Sequence, residues 1–179
     1  HHYREKGVIL VQQSIVECVP NFSEGRDPQV IQQIADSISA SRCKILDVSP
    51  DHSHNRCVIS FAGPPDRVEE AAFQAAKIAS QLIDMENHKG EHPRIGATDV
   101  IPFIPVKNIA IEECVALAQR TGRKIAEELA IPVYLYAKAA KTEERVKLPN
   151  IRKGEYEGLK EAIMADPLRK PDYGPSKLH

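Results

Sequence analysis

Apolar and polar residues alternate in short blocks along the first part of the chain, and each block predicts one element. Residues 14–19 form a short β-branched run that a proline ends, which is typical of a strand. Residues 21–25 are polar and predict a turn. Asp27 and Pro28 then supply a helix N-cap and a first-turn proline, and apolar residues recur at helical spacing up to Ile38.

The next blocks predict two strands, a long helix and a loop. Residues 44–48 and 57–62 are apolar runs on either side of a polar turn, which indicates a hairpin. Residues 67–83 are rich in alanine, and their apolar positions fall on one helical stripe. Residues 84–99 show little periodicity and many polar groups, so they predict a loop.

In the second half of the chain, apolar and polar blocks alternate less regularly. Residues 100–106 are apolar but interrupted by prolines, which favours an edge strand or an extended segment. A third helix is predicted over residues 111–129, and a strand over residues 132–136. A short helix follows near residues 156–165, and the composition of residues 170–179 is typical of a linker.

The order of elements predicts an α+β fold. A β-α-β-β-α-β series matches the ferredoxin-like split β-α-β sheet with helices on one face, here with an additional helix-strand unit. A doubly wound parallel sheet is the alternative, and the hairpin disfavours it. The predicted domain covers residues 14–170, and residues 171–179 form a linker toward a missing second subdomain. Residues 1–13, which begin with His1 and His2 in place of methionine, are interpreted as a remnant or an extension.

Charge and cysteine content narrow the class of protein. The net charge is −1, whereas dedicated nucleic-acid binders are usually basic. No apolar run reaches the roughly 18 residues of a membrane helix, and the start lacks the apolar core of a signal peptide. The cysteines form no CxxC pair and lie in apolar segments, so we expect them to be reduced and buried. These features favour a cytoplasmic protein that binds neither nucleic acid nor membranes.

The predicted loop over residues 84–99 concentrates groups that can do chemistry. Its 16 residues hold two histidines, two glycines, one arginine, one lysine and four carboxylates. His88 and His92 would share one face of a helix and could hold a metal, but Gly90 and Pro93 make a continuous helix there unfavourable. A single histidine that carries protons and a structural histidine are the two remaining interpretations.

Charged groups near these histidines have two interpretations as well. Arg94 and Lys89 could bind a carboxylate substrate or form a solvated loop. In the predicted hairpin turn, Asp51 and Asn55 suit the turn itself. The remaining polar residues of that region exceed what a turn needs, and they are Asp47, His52, His54 and Arg56. No phosphate-binding glycine motif and no nucleophile elbow is present.

Several segments, in the same order, resemble the glutamate formiminotransferase (glutamate formimidoyltransferase) family. They are Val16–Gly25 (VECVPNFSEG), Ile83–Met85, His88–Ala97 (HKGEHPRIGA), Asp99–Val100, Pro102–Val106, Pro132–Tyr136, Ile151–Glu157 and Pro171–Pro175. The resemblance covers the chain from about Ser14 to its end. It implies transfer of a formimidoyl group between N-formimidoyl-L-glutamate and tetrahydrofolate, in histidine degradation and one-carbon metabolism.

The resemblance also implies an arrangement of the site. The family's catalytic histidine maps onto His92 of the His-Pro-Arg triplet, and folate lies between two similar α/β subdomains. This chain then corresponds to the N-terminal subdomain, and the folate loop begins at Gly174, Pro175 and Ser176. Tetrahydrofolate or polyglutamylated folate is implied as a substrate, with no metal. A homodimer and a cyclodeaminase domain or partner are further expectations.

The chemistry of the implied reaction assigns roles to the candidate residues. Transfer between two amines requires a proton to leave one nitrogen and reach the other, which a histidine such as His92 can perform. Arg94, Arg56 and Lys89 are the cations that we expect to bind the carboxylates of glutamate and folate. The predicted binding set also includes Asn55, Asp47 and Asp99.

Asp47 or Asp99 is expected to orient His92. Two alternatives remain at this point. One is a stand-alone folate-binding or interaction module, and the other is a metal-dependent hydrolase that uses His88 and His92.

Overall fold

A computed structural model describes residues 13–178. The predicted remnant or extension therefore lies outside the described residues apart from Gln13, as does His179 of the predicted linker. The strands are β1 (Ile15–Cys18), β2 (Asn21–Phe22), β3 (Lys44–Asp51), β4 (Arg56–Gly63), β5 (Thr98–Val100) and β6 (Phe103–Lys107). The helices are α1 (Pro28–Ala40), α2 (Pro65–Leu82), α3 (Ile111–Leu129), α4 (Leu148–Arg152) and α5 (Glu155–Ala165).

The strands form one antiparallel sheet. β4 pairs with β3 on one side and with both β1 and β2 on the other. β6 then pairs with β1, and β5 pairs with β2. The α+β class is confirmed, and the doubly wound parallel alternative is wrong because every pairing between the named strands is antiparallel.

Prolines explain why two of these strands are interrupted. Pro20 separates β1 from β2, and Pro102 separates β5 from β6; a proline has no N–H for a sheet ladder. Backbone bonds continue across both gaps, since Val19 N donates to Pro102 O at 3.3 Å and Ile59 N donates to Pro20 O at 3.2 Å. The predicted turn over residues 21–25 therefore begins as a short strand.

The hydrophobic core lies between the sheet and three helices. α1 packs against α2, and α2 packs against α3. Asp27 caps α1 by accepting from Gln29 N, and Pro28 occupies its first turn, as the sequence predicts. Alanines on the buried side of α2 allow a close approach to the sheet. Side chains at the centre of the core are almost fully buried, and they include Val16, Cys18, Phe22, Ile34, Ile38, Ile59, Phe61, Val68, Ala75 and Leu117.

The strand predicted over residues 132–136 is wrong. Only Val133 makes a bridge, and its partner is Tyr173 in the tail. Val133 N donates to Tyr173 O at 2.9 Å, and Leu135 N donates to the Asp172 carboxylate at 2.7 Å. Tyr173 and Asp172 thus bond to the backbone groups that a neighbouring strand would need. The predicted additional helix-strand unit therefore has its helix, α3, but not its strand.

All four cysteines are free and buried, as the sequence predicts. Burial raises the pKa of the Cys57 thiol to about 11 and that of Cys43 to about 11, so neither is an activated nucleophile. Separately, within residues 13–178 no helix combines the length and apolar character that crossing a membrane requires.

Candidate functional site

A small polar cleft lies where three segments meet: β2 with the residues after it, the turn between β3 and β4, and the loop after α2. Its lining residues are Asn21, Phe22, Ser23, His54, Asn55, Arg56, His88, His92, Arg94 and Asp99. The cleft therefore brings together five of the predicted site residues, namely His92, Arg94, Arg56, Asn55 and Asp99.

Asn55 joins the three segments. Its backbone has a left-handed φ of 50°, which asparagine tolerates better than most residues. Its Oδ1 accepts from Gly25 N at 2.9 Å, and its Nδ2 donates to Lys89 O at 3.1 Å. The loop approaches so closely that a Cβ at Gly90 would lie 2.2 Å from His54 O. Asn55 is buried, and these bonds give it a structural role.

His88 is locked by hydrogen bonds at both ring nitrogens. Nε2 lies 2.9 Å from Asn55 O, and Nδ1 accepts from Arg94 Nε at 2.9 Å. Because arginine can only donate, Nδ1 must accept and Nε2 carries the hydrogen that reaches Asn55 O. A metal at His88 would have to displace one of these partners. In the part of the chain that the structure describes, no group of three or more His, Cys, Asp or Glu side chains is placed to hold a metal ion.

Arg94 is buried, and all five of its N–H donors have protein acceptors. Besides the bond to His88 Nδ1, it donates to His88 O at 3.0 Å. Its remaining donors reach Glu155 at 3.1 Å and both oxygens of Glu157 at 2.8 Å. These bonds lower the pKa of Glu157 to about 2. The guanidinium thus holds the start of α5 against the loop and has no donor left for a substrate carboxylate.

Asp99 is also held by protein groups. Its Oδ1 accepts from Ile95 N at 2.8 Å, and its Oδ2 accepts from the Arg152 guanidinium. No hydrogen bond joins Asp99 to His92 among the described residues. Asp99 still affects His92 through its charge, which favours the protonated imidazole.

His92 lies partly buried in the cleft, and its surroundings favour the neutral imidazole. Burial is the main cause of its lowered pKa, and the positive charge of Arg56 adds to the effect. Neither the Arg56 guanidinium nor the Lys89 ammonium has an ion-pair or hydrogen-bond partner within residues 13–178. A neutral histidine beside an unpaired cation is suited to accept a proton near an anionic substrate.

His54 is one of the polar residues that exceed what the predicted turn needs, and although no site role was predicted for it, its ring lies next to His92. The ring centroids are 6.2 Å apart. His54 Nδ1 bonds to Asp51 Oδ2 at 2.8 Å, and this contact contributes to the lowered pKa of Asp51. The available signal was the excess of polar residues in the turn over what a hairpin requires.

The other predicted site residues lie outside the cleft. Asp47 is exposed on β3 opposite Ser60, on the sheet face away from the helices, and accepts from the Ser49 hydroxyl. Gly174 has a φ of 92° and lies against Ile131 beyond the end of α3. Pro175 and Ser176 follow it on the surface.

A larger, mainly apolar cavity of about 320 Å³ adjoins the cleft. It lies between α3, the β5–β6 edge of the sheet and the segment around residues 131–139. Asp99 lines both the cleft and the cavity. The hydroxyls of Thr98 and Thr121 line the cavity and are buried without a hydrogen-bond partner in residues 13–178.

Comparison with known proteins identifies the family. The family model of the formiminotransferase domain, N-terminal subdomain, matches residues 15–179. The chain is 52% identical over 166 residues to the glutamate formimidoyltransferase of Thermoplasma acidophilum, covering 91% of this chain and 54% of that protein. It is 46% identical over 166 residues to the glutamate formimidoyltransferase of Streptococcus pyogenes serotype M1, covering 92% and 55%.

A fused relative is also similar. The formimidoyltransferase-cyclodeaminase of Mus musculus is 54% identical over 165 residues, which cover 92% of this chain and 30% of that protein. The chain thus spans about half the length of the two glutamate formimidoyltransferases, and less of the fused protein. Since the family model covers nearly the whole sequence, the chain belongs to the family of formiminotransferase N-terminal subdomains.

Proposed function

We propose that the protein carrying this chain transfers a formimidoyl group between N-formimidoyl-L-glutamate and tetrahydrofolate, with His92 as general acid and base. The observation that carries the proposal is the cleft itself. In a formiminotransferase subdomain, it presents a partly buried histidine with a lowered pKa beside the unpaired cation of Arg56. The relatives' names supply the transferred group.

The neutral state of His92 suits the first step of this reaction. An amine that attacks the formimidoyl carbon must lose a proton as its new C–N bond forms, and a neutral imidazole can accept it. The same imidazole can later donate that proton to the departing nitrogen of glutamate. This route needs only groups that the cleft contains.

Substrate binding is assigned to the cations of the site that have no ion-pair or hydrogen-bond partner among residues 13–178. Arg56 and Lys89 are proposed to bind carboxylates of glutamate and of the folate tail. Arg94, Asn55 and Asp99 were expected in this set, but their hydrogen bonds favour structural roles around His92. Asp47 lies on the open face of the sheet, and its predicted role in orienting His92 has no support in the contacts of the described residues.

The folate ring system has a suitable cavity nearby. The 320 Å³ cavity is within the size range of small-molecule sites, and its apolar lining suits a flat heterocycle. Thr98 and Thr121 provide hydroxyls there that have no hydrogen-bond partner in the described part of the chain. The tail segment Gly174, Pro175 and Ser176 remains the proposed start of the folate loop.

The wider setting of the chain is part of the same proposal. Because the chain spans about half of the glutamate formimidoyltransferases it matches, we assign it one wall of a site that a second subdomain completes. The fused relatives support a cyclodeaminase domain or partner. Polyglutamylated folate, a homodimer and a role in histidine degradation are further elements. The buried free cysteines support a cytoplasmic location, and the antiparallel strand order supports the ferredoxin-like assignment.

A second function has one observation in its favour. The apolar cavity of about 320 Å³ is lined by residues of this chain alone, so folate can bind there without turnover if the chain acts as a stand-alone module. Binding of tetrahydrofolate by the 179-residue chain without any transfer in the protein at natural length would favour this alternative.

The test is the transfer assay with His92→Ala. We expect the natural-length protein to form formimidoyltetrahydrofolate and glutamate from the two substrates. His92→Ala should lower kcat by about 10²- to 10⁴-fold, the usual contribution of a general acid or base. His52→Ala, which removes an exposed histidine of the neighbouring turn, is the control and should leave kcat unchanged. A His92→Ala protein with activity within a few-fold of wild type contradicts the proposal.

A further inference from the structure

A second histidine stands beside His92, and it has a carboxylate of its own. The rings of His54 and His92 meet edge to face, with centroids 6.2 Å apart and an interplanar angle of 74°. Asp51 Oδ2 lies 2.8 Å from His54 Nδ1, and the backbone N–H of His54 donates to Asp51 Oδ1 at 3.1 Å. The carboxylate thus fixes the ring and leaves Nε2 as the nitrogen without a protein partner in residues 13–178.

The fold does not require this imidazole. The turn is already closed by the bond from Asn55 N to His52 O at 3.2 Å and by the side-chain bonds of Asn55. The His54 side chain is 42% exposed, so it does not fill the core. His54 is therefore an oriented histidine whose Nε2 has no partner among the described residues, and this arrangement suits proton transfer better than packing.

We propose that His54 is a second catalytic residue of the formimidoyl transfer and that Asp51 is its positioning residue. This inference rests on the proposed function. The two roles that the proposed function gives to His92 alone are here divided between two residues. His92 keeps the role of base toward the attacking nitrogen, and His54, in place of His92, acts as the acid toward the departing nitrogen of glutamate. Asp51 accepts the Nδ1–H of His54, so the proton that His54 transfers is the one on Nε2.

Protons and electron pairs balance over the reaction. The acceptor amine forms a bond to the formimidoyl carbon, the C=N pair moves to the imino nitrogen, and His92 removes the amine proton. The C=N bond then re-forms as the C–N bond to glutamate breaks, and the departing nitrogen takes that electron pair and a proton from His54. His92 now holds the proton that His54 has lost, and its transfer between the adjacent rings restores both residues.

The charges around the two rings are consistent with different roles. The groups that face the pair from neighbouring elements are Asp51, Arg56, His88, Arg94, Asp99 and Arg152. Arg56 and Arg152 disfavour a proton on His92, as does burial. The nearest charge to His54 is instead the Asp51 carboxylate at 2.8 Å. The two rings therefore have nearest charged neighbours of opposite sign.

The experiment compares His54→Asn with His52→Asn, a matched change at the exposed histidine two residues earlier. In the natural-length protein we expect His54→Asn to lower kcat about 100-fold with KM within about two-fold. The kcat of wild type should decline at high pH because a required acid loses its proton there, and the kcat of His54→Asn should lack this decline. His52→Asn should match wild type, and Asp51→Asn should lower kcat with KM little changed, because the His54 ring loses the carboxylate that fixes its orientation. Circular dichroism and urea unfolding check that each variant folds.

The outcomes separate this inference from the proposed function. If wild type transfers and His54→Asn keeps the kcat and the pH profile of His52→Asn, the role of His54 is overturned while the proposed function stands. If wild type shows no transfer, the proposed function fails, and the role of His54 fails with it. Should His54→Asn not fold, His54→Gln takes its place in the same comparison.

Discussion

At the scale of single residues, the cleft divides its histidines by what they contact. His88 uses both ring nitrogens to hold Arg94 and the carbonyl of Asn55. His92 contacts the backbone of Pro93, but no side chain among the described residues hydrogen-bonds to its ring, and burial lowers its pKa so that the neutral imidazole is favoured. Two histidines four positions apart in the sequence therefore have different contacts, which the sequence alone does not distinguish.

This division predicts opposite effects on stability and activity. His88→Ala leaves the buried Nε of Arg94 and the carbonyl of Asn55 unpaired, so it should lower the free energy of unfolding by about 1–3 kcal/mol. His92→Ala removes a partly buried ring to which no other described side chain hydrogen-bonds, and its loss should appear in kcat instead. Urea unfolding and the transfer assay on both variants measure this. Equal stability of His88→Ala and His92→Ala would contradict the structural role of His88.

At the scale of elements, two arginines form ion pairs that join α4 and α5 to the segment that runs from α2 into β5. Arg94 of the loop pairs with Glu155 and Glu157 at the start of α5. Arg152 at the end of α4 pairs with Asp99 at β5. The segment that carries His92 is therefore held by α4 and α5 as well as by the β3–β4 turn, although it contains little regular structure.

The Arg94 pairing predicts a loss of stability in acid. Glu157 has a pKa of about 2 in the folded protein against an ordinary value of 4.5, so the folded state favours its charged form. Its contribution is present above about pH 4.5 and is lost as the pH falls toward about 2. The contribution is modest because the Glu157 side chain is 65% exposed. Glu157→Gln should therefore have a lower urea midpoint than wild type at about pH 6. At about pH 3 the midpoints of the two proteins should lie closer together.

Glu161→Gln is the control for this comparison, because Glu161 is exposed on the same helix and has no ion pair among the described residues. It should show the same acid loss as wild type. If Glu157→Gln and Glu161→Gln respond to pH alike, the pairing with Arg94 does not hold α5 in solution.

Local patterns predicted most elements, but not the contacts between distant ones. Asp27 and Pro28 mark the start of α1, and α3 has the predicted bounds, because caps and helical spacing are local signals. The strand over residues 132–136 failed because the backbone of Val133 is taken by Tyr173, 40 positions later. Long-range pairing of this kind has no local signal.

Local patterns likewise predicted residues of the candidate site, but not the long-range contacts between them. His92 came from the resemblance of its motif, and the polar turn indicated a second cluster. The structural use of Arg94 depends on Glu157, 63 positions away, so its charge alone suggested substrate binding. The proximity of His54 and His92 depends on the close approach of two loops at Gly90. Residue types thus predicted which chemistry is present, and only the fold showed which groups are free to perform it.

At the scale of the whole molecule, the chain has a core of its own but an open side. Three helices cover one face of the sheet, and the side chains at the centre of the core between them are almost fully buried. The opposite face exposes apolar side chains, with Ile104 at 40%, Val106 at 58% and Leu46 at 51% exposure. The core supports independent folding, whereas the exposed face and the length of the relatives support a second subdomain.

The last prediction separates folding from catalysis. We expect the 179-residue chain alone to give the circular dichroism and cooperative urea unfolding of a folded α+β protein, because its core is complete. We expect it to transfer formimidoyl groups poorly or not at all, since positioning two substrates contributes several kcal/mol to the lowering of a barrier. The matched sample is a chain extended through the second subdomain, assayed at the same concentration. Turnover by the short chain at a rate close to that of the extended one would show that this subdomain holds the entire site. Folate binding without turnover would instead assign it the part of the site that recognises folate.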